Sequence, residues 1–484
     1  MPPTADSFYA TWRQSCRAFN ALREFSEVPP ERLLQAIWHH QRLRREELRL
    51  LDGRTLRVLH PGFWNHGAGP DFRDAVLQFS SDAPFSTDVE LDLDASGWRA
   101  HGHDRNPTFN KVKLHVVWSA DKVNEFPTLA LKPFLDAPLP EIGLWLGSEA
   151  AQQFPAELLG QCASPLRDLS DEQLEVLLNE AAVVRLQSKA ADLHARARQC
   201  GWEQALWEGL LRALGYKQNV WPMQCLGELR QRFCDGGRLS AEQLQARLLG
   251  ASGLLPTEVS RGRSASDTYL RTVWDQWWRE RDAFHDCVLP RSLWRLNGLR
   301  PANHPQRRLA LAAHWWTQNN FVTRIEKWFT TSHGKNELAP SLLATLQAPH
   351  DGFWSWHWTL RSASMKSAQP LLGETRVTDL AVNVILPWLW VRAREGQNTK
   401  LLSLAEARYF AWPAAEDNSV LRLARNRLLG GRRIAKLRNA AMQQGLMQVV
   451  RDFCDHANAL CGDCKFPELV CNWKLSSNSE APRI

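Results

Sequence analysis

No apolar run in the sequence approaches the roughly 18 residues that a membrane-spanning helix needs. The longest, around Leu380 to Val391, is broken by Asn383 and Pro387. The opening MPPTADSFYATWRQSC lacks a basic start followed by an apolar stretch, so no secretory signal is expected. Glycine-rich phosphate loops are missing as well. GLLPTEVSRGRS and LLGGRRIAKL fit neither G-x-x-x-x-G-K-[ST] nor G-x-G-x-x-G, which leaves nucleoside-triphosphate-driven chemistry without a handle. There is no fixed repeat period, and a solenoid is not supported. Neither sign of charge dominates: 59 Lys and Arg stand against 52 Asp and Glu, a net +7 that permits a nucleic-acid partner without requiring one. Tyrosine is scarce, four against 23 tryptophans, which points to broad helix-packing surfaces, with base stacking as the functional alternative. Ten cysteines in a chain this long suit a reducing compartment where thiols stay free or bind metal, and a cytoplasmic protein is expected.

At 484 residues the chain has room for two or three domains. After Pro29-Pro30, residues 31–43 place Leu33, Leu34, Ile37 and Trp38 at helical spacing. ELRLLDGRTLRVL then reads as a hairpin about Asp52-Gly53, a turn whose two central residues both need positive φ. Three alternating runs follow, one after Asp71, one across Asp88 to Asp94 and one across Val112 to Trp118, and a further strand is expected near Leu129 to Leu131. From Asp168 the period changes. LSDEQLEVLLNEAAVVRLQSKAADLHARARQCG opens with Ser170 in a capping pattern and stops at Gly201, and similar helical runs recur to residue 450. The expected fold is α+β, with a nuclease-like α/β domain on a mixed sheet followed by a large all-helical domain and a small C-terminal cysteine cluster. The expected boundaries are an extension over 1–30, the α/β domain over 31–135, a proline-rich connector over 136–167, helices over 168–452, the cysteine cluster over 453–472 and a flexible tail over 473–484.

Most of the candidate chemistry lies between His60 and Trp118. Alternation puts Val89, Leu91 and Leu93 on one face of the second run and Asp88, Glu90, Asp92 and Asp94 on the other. Four acids at spacing two repel one another unless water or a cation relieves them, so the pattern fits either a solvated edge strand or a metal site. Lys113 and His115 share one face of the third run.

Pro70-Asp71 at the head of one strand, followed by Glu90-Leu91-Asp92 in the next, resembles the PD-(D/E)xK nuclease superfamily. The resemblance implies Asp71 and Glu90 as ligands of Mg²⁺ or Mn²⁺, with the Leu91 carbonyl as a third. This chain departs at the third position, where Asp92 stands in place of lysine. The basic group is then expected from Lys113 or His115, which makes Asp71, Glu90, Asp92, Lys113 and His115 the candidate catalytic set. The connector Gly97 to Asp104 resembles the Trp-His-x-His connector of very-short-patch mismatch-repair endonucleases. Over most of the chain, the motifs N-x-x-x-GPDF (Asn65 to Phe72), VELD (Val89 to Asp92), W-x-x-HGHD (Trp98 to Asp104), N-x-V-x-LHVV (Asn110 to Val117) and RPANHP (Arg300 to Pro305) resemble the bacterial domain-of-unknown-function 2851 family. That family's pattern reads VE-x-His where this chain has Asp92. The expected function is metal-dependent phosphodiester hydrolysis on DNA or RNA, with a catalytically degenerate nucleic-acid-binding or protein-interaction module as the alternative.

Further along, Arg300 is a candidate phosphate clamp, while Pro301 and Pro305 equally set a turn into the next helix. GFWSWHWTL at 352–360 alternates like a strand, its tryptophans read as core rather than as a stacking platform. Cys454, Cys461, Cys464 and Cys471 have the spacing C-x6-C-x2-C-x6-C, a set able to close a zinc site or hold an iron–sulfur cluster. It resembles the cluster loop of the endonuclease-three type of DNA glycosylase, with one extra residue in the last gap; the alternative is a set of incidental thiols. The stretch 421–440 carries Arg422, Arg425, Arg427, Arg432, Arg433, Lys436 and Arg438 with no acid among them. Such a run is either a solvated or acid-paired helical face or a phosphate-binding one. If it binds nucleic acid, affinity falls steeply with salt as counterions are released, and reversing Arg432 and Arg433 to Glu weakens binding and flattens the salt slope. An unchanged slope assigns the run to structure or to another partner.

Overall fold

The structure is a computed structural model, and it describes all residues except 1–6, 22–27, 66–68, 121–125, 147–159, 217, 236, 238, 260–264, 297, 417–418, 431–436, 455–460, 462–463 and 480–484. Helix α1 (Phe8–Ala21) comes first, then α2 (Glu31–His40), which starts at Pro30 and ends on Gln41 in the left-handed region. Among the described residues six strands form one sheet: β1 (Leu56–His60), β2 (Phe63–Trp64), β3 (Phe72–Phe79), β4 (Phe85–Asp92), β5 (Val112–Val117) and β6 (Thr128–Ala130). The order is β1-β3-β4-β5-β6, with β2 paired to β3. Pairing is antiparallel from β1 to β4 and parallel from β4 to β6. The change of sense follows from the connections. A turn joins β3 to β4, whereas β4 must cross back through 93–111, including the short helix α3 (Gly97–Ala100), to reach a parallel neighbour.

The alternating runs of the sequence become these strands because one face of each is apolar. Val89, Leu91, Leu114 and Val116 pack with Leu34, Ile37 and Trp38 of α2 in a core of their own. The acidic strand β4 is not an edge. It runs between β3 and β5 with Asp88, Glu90 and Asp92 buried, which corrects the solvated-edge reading. The hairpin before β1 forms, with the Leu50 amide bonded to the Arg54 carbonyl at 2.8 Å. Only Gly53, at φ +89°, takes positive φ there; Asp52 instead accepts from the Arg54 amide and side chain, and this removes the need for a second left-handed residue.

Helices dominate the described residues beyond β6. The longest, Asp171–Cys200, begins with the reciprocal Ser170–Gln173 capping box and ends at Gly201, φ +84°. Among the helical runs that recur to residue 450, the one from Glu374 to Glu395 is interrupted by a π turn at Ala381–Ile385, with Pro387 in the first turn of the helix that follows. The run over 418–450 splits into Ser419–Leu429 and Ala440–Val449. Residues 352–360 are turns rather than a strand, because the carbonyls of Trp354 and His357 fold round the buried Arg307 guanidinium. Helix Phe466–Ser479 runs on past residue 473, into the stretch expected to be a flexible tail. It packs on α1, where Phe8 stacks on Trp473 at 4.9 Å, while Arg13 of α1 pairs with the buried Asp452 at 2.9 Å. The expected N-terminal extension thus carries a helix anchored to C-terminal elements. Among the described residues no helix is long and apolar enough to cross a membrane.

Helix Ala440–Val449 lies across Asp171–Cys200 at Gly445, where a Cβ would overlap the Leu178 carbonyl. Gly445→Ala should therefore lower stability by about 1–3 kcal/mol through overpacking, read as a fall in Tm. An unchanged Tm would show that the two helices can separate there without cost.

Candidate active site

The carboxylates meet where β3 and β4 begin to diverge. Asp71 immediately precedes β3, and the β3–β4 ladder is irregular between Phe72 and Ala75, where Asp74 takes φ +54°. The irregularity frees backbone groups for side chains. The Asp71 amide donates to Glu90 Oε2 at 2.9 Å, and the Leu91 amide donates to Asp71 Oδ2 at 3.2 Å. Gln35, one turn after Glu31 on α2, donates to Asp71 Oδ1 at 2.9 Å. Asp88 accepts from the Asp74 amide at 3.0 Å, and Asp94 from the Ser96 amide at 2.8 Å. Of the four acids of the strand, Glu90 and Asp92 are therefore the pair that remains with Asp71.

The connector between β4 and β5 supplies imidazoles. His115 of β5 is aligned with Glu90, and its Nε2 lies 2.9 Å from Asp92 Oδ2. His101 Nδ1 lies 3.0 Å from Asp92 Oδ1. His103 Nε2 lies 3.1 Å from Glu90 Oε1 but out of line for a hydrogen bond, so this buried nitrogen has no hydrogen-bond partner. Ligand atoms of Asp92, His101 and His103 all lie within 4.8 Å of one another. Aromatic rings hold the imidazoles in place: His103 stacks on Phe109 at 4.0 Å, and Trp98 stands 5.6 Å from His115 and stacks on Phe126. Gly97 is needed where the connector passes Asp92, because a Cβ there would stand 2.6 Å from Asp92 Cγ.

Burial dominates the electrostatics. It pushes the Asp71 carboxyl up to about 7 against the opposing hydrogen bonds from Gln35 and Leu91. Glu90 is pushed up to about 8, first by burial and then by the neighbouring Asp71. Burial likewise lowers the basicity of His103. A crowded set of acids and a neutral imidazole is the condition under which a divalent cation binds in exchange for protons.

Other residues of the candidate set fall elsewhere. Lys113 is exposed at the far end of β5, its ammonium 5.5 Å from the centre of the Phe85 ring and its amide bonded to Thr87, so it does not join His115 at the carboxylates. Arg300 is exposed and pairs with Glu416 at 3.3 Å. Arg432 and Arg433 lie outside the described residues. Cys454 and Cys461 are buried, Cys464 is half-buried and Cys471 is exposed on the last helix. Arg427 donates to Cys461 Sγ at 3.1 Å. Burial raises the Cys162 thiol, and the nearby Cys454, Cys464 and Cys461 add to the effect. Among the described residues no three of these sulfurs lie within 4.8 Å of one another.

His101, His103 and Gln35 were not singled out as site residues by sequence reasoning. The His-x-His spacing of the connector was the available signal for the first two; nothing in the sequence tied Gln35 to Asp71. A family described as protein of unknown function (DUF2851) matches residues 31–418. No curated protein and no solved structure matches the chain.

The raised carboxyls set a sign for pH. An acid protonated in the folded chain and ionised in the unfolded one stabilises below its unfolded value and loses that contribution as pH rises through its folded value. Metal-free protein should therefore lose stability from Asp71 and Glu90 between about pH 4 and pH 8. The Asp71→Asn/Glu90→Gln double variant should lose part of that decline when Tm is measured across the window. A wild-type decline identical to that of the variant would mean that the pair does not titrate in this range.

Proposed function

The chain belongs to the DUF2851 family, whose description names no reaction, and we propose that it is a metal-dependent phosphodiesterase acting on nucleic acid. The observation that carries this reading is the convergence of Asp71, Glu90 and Asp92 with His101, His103 and His115 at one end of the two central strands. The order helix, four antiparallel strands, connector and parallel strand supports it, placing Asp71 and Glu90 on neighbouring strands as the resemblance to PD-(D/E)xK nucleases requires.

The residues fit a divalent ion. His103 offers a buried nitrogen without a hydrogen-bond partner, and the Asp92, His101 and His103 atoms are close enough to share one ion. Two imidazoles and a carboxylate suit Mn²⁺, Fe²⁺ or Zn²⁺ better than Mg²⁺, which prefers oxygen donors. When bound, such an ion supplies Lewis-acid polarisation of a phosphodiester and lowers the pKa of a bound water. His115 holds the second oxygen of Asp92 and so fixes its orientation. Asp71 and Glu90 titrate near neutrality in the metal-free protein, where a carboxyl can accept a proton from water and return it to a leaving alkoxide.

The second reading is a degenerate module that binds nucleic acid without cutting it. Asp92 in place of the superfamily lysine favours it, as does the position of the Lys113 ammonium over Phe85. One set of assays separates the two. The full chain is incubated with Mn²⁺, Zn²⁺ or Mg²⁺ and with bis(p-nitrophenyl) phosphate, single- and double-stranded DNA, or RNA. Cleavage is expected, falling on the order of 10²-fold or more in Asp71→Ala and in Glu90→Ala with circular dichroism unchanged. Cleavage surviving in both variants would overturn the assignment, whereas binding without turnover in the wild type selects the degenerate module.

A further inference from the structure

A second charged centre lies apart from the carboxylates. A cavity of about 430 Å³ opens where the end of α2 meets the helical half, lined by the turn after α2 including Arg42 and Arg45, by one face of the long helix between Lys189 and Arg196, and by parts of the helices around Arg212, Arg376 and Arg451. Its volume falls within the roughly 300–1,000 Å³ typical of small-molecule pockets.

Each of the four carboxylates in its wall already has an arginine. Arg42 pairs with both Asp136 and Asp192 at 2.7 Å, Arg196 with Glu208 at 2.5 Å and Arg376 with Asp379 at 3.0 Å. Arg45 pairs with Glu228 at 2.9 Å, which leaves three more cations in the wall: Lys189, Arg212 and Arg451. Among the described residues, none of them has a carboxylate within ion-pair distance. Arg212 bonds to the Gln224 side chain and stands 4.8 Å over Trp221, contacts that position its guanidinium without neutralising it. Nη2 of Arg42 and Nε of Arg376 are buried without hydrogen-bond partners. The Lys189 amine is pushed down to about 7 by burial and by the neighbouring Arg185, Arg451 and Arg212 charges, against the opposing pull of Asp192.

Holding like charges together out of bulk water is unfavourable unless an anion completes the set. A multiply charged oxyanion has both the charge and the acceptor count for three cations. We propose that this cavity binds a small ligand bearing a polyphosphate group, whose oxygens are received by Lys189, Arg212 and Arg451. The site is independent of the carboxylate cluster, which carries the opposite charge and shares no residue with it.

The test is calorimetric titration of the full chain in EDTA at constant ionic strength, with orthophosphate, pyrophosphate and ATP as probes. Saturable one-to-one binding of pyrophosphate, of ATP or of both is expected, with orthophosphate weaker. Equal affinities would mean that the phosphates alone are recognised; tighter ATP would assign part of the cavity to a nucleoside. Lys189→Met and Arg451→Gln should each weaken binding at least tenfold. The unliganded Lys189→Met variant should melt no lower than the wild type, because it loses an unneutralised charge. Asp71→Ala should bind as the wild type does. The proposal is overturned if neither pyrophosphate nor ATP binds at millimolar concentration, if both cavity variants bind normally, or if Asp71→Ala abolishes binding.

Discussion

Two hydrogen bonds of about 3 Å carry the organisation of the N-terminal half. The Asp71 amide donates to the Glu90 carboxylate, and the Asp71 carboxylate accepts from Leu91, so each strand caps backbone groups of the other where the regular ladder is interrupted. Buried amides must find acceptors, and here the acceptors are acids. The clasp therefore joins β3 to β4 and at the same time draws two carboxylates out of water and against one another. Both consequences come from the same geometry. The raised proton affinities of Asp71 and Glu90 are the electrostatic cost of a connection that also builds the site.

The change from antiparallel to parallel pairing at β4 adds the second half of the arrangement. Because β5 must run beside β4 in the same direction, the chain has to return across the end of the sheet, and its connector brings His101 and His103 over the acids. Gly97 lets the connector start close against Asp92, and Phe109 and Trp98 give the imidazoles an apolar backing. Helix α2 then joins two centres of opposite charge. Gln35 holds Asp71, while the end of the same helix, from His40, lines the cation-rich cavity. Two parts of one ten-residue helix thus serve the two centres, which share no residue.

The sequence by itself determined the elements. Period-two runs with one apolar face became β3, β4 and β5, and Ser170 with Gln173 marked the start of the longest helix, because local periodicity and capping are properties of short segments. The pairing of Asp71 with Glu90 and the proximity of His115 to the acids were also legible, since strand order and alternation put them on neighbouring strands. Other features needed the tertiary structure. Strand periodicity put Lys113 and His115 on one face, but the register opposite β4 decided that only His115 reaches the acids. The burial of the acidic strand depended on which neighbours flank it, and sequence alternation is the same for an edge and for a centre. Cys162 shares a buried core with Cys454, with Cys464 packed against it, only because segments distant in the chain pack together. The cavity at Lys189 has no sequence signature, since its cations come from segments far apart and acquire a common charge only when the fold pairs the nearby acids with other arginines.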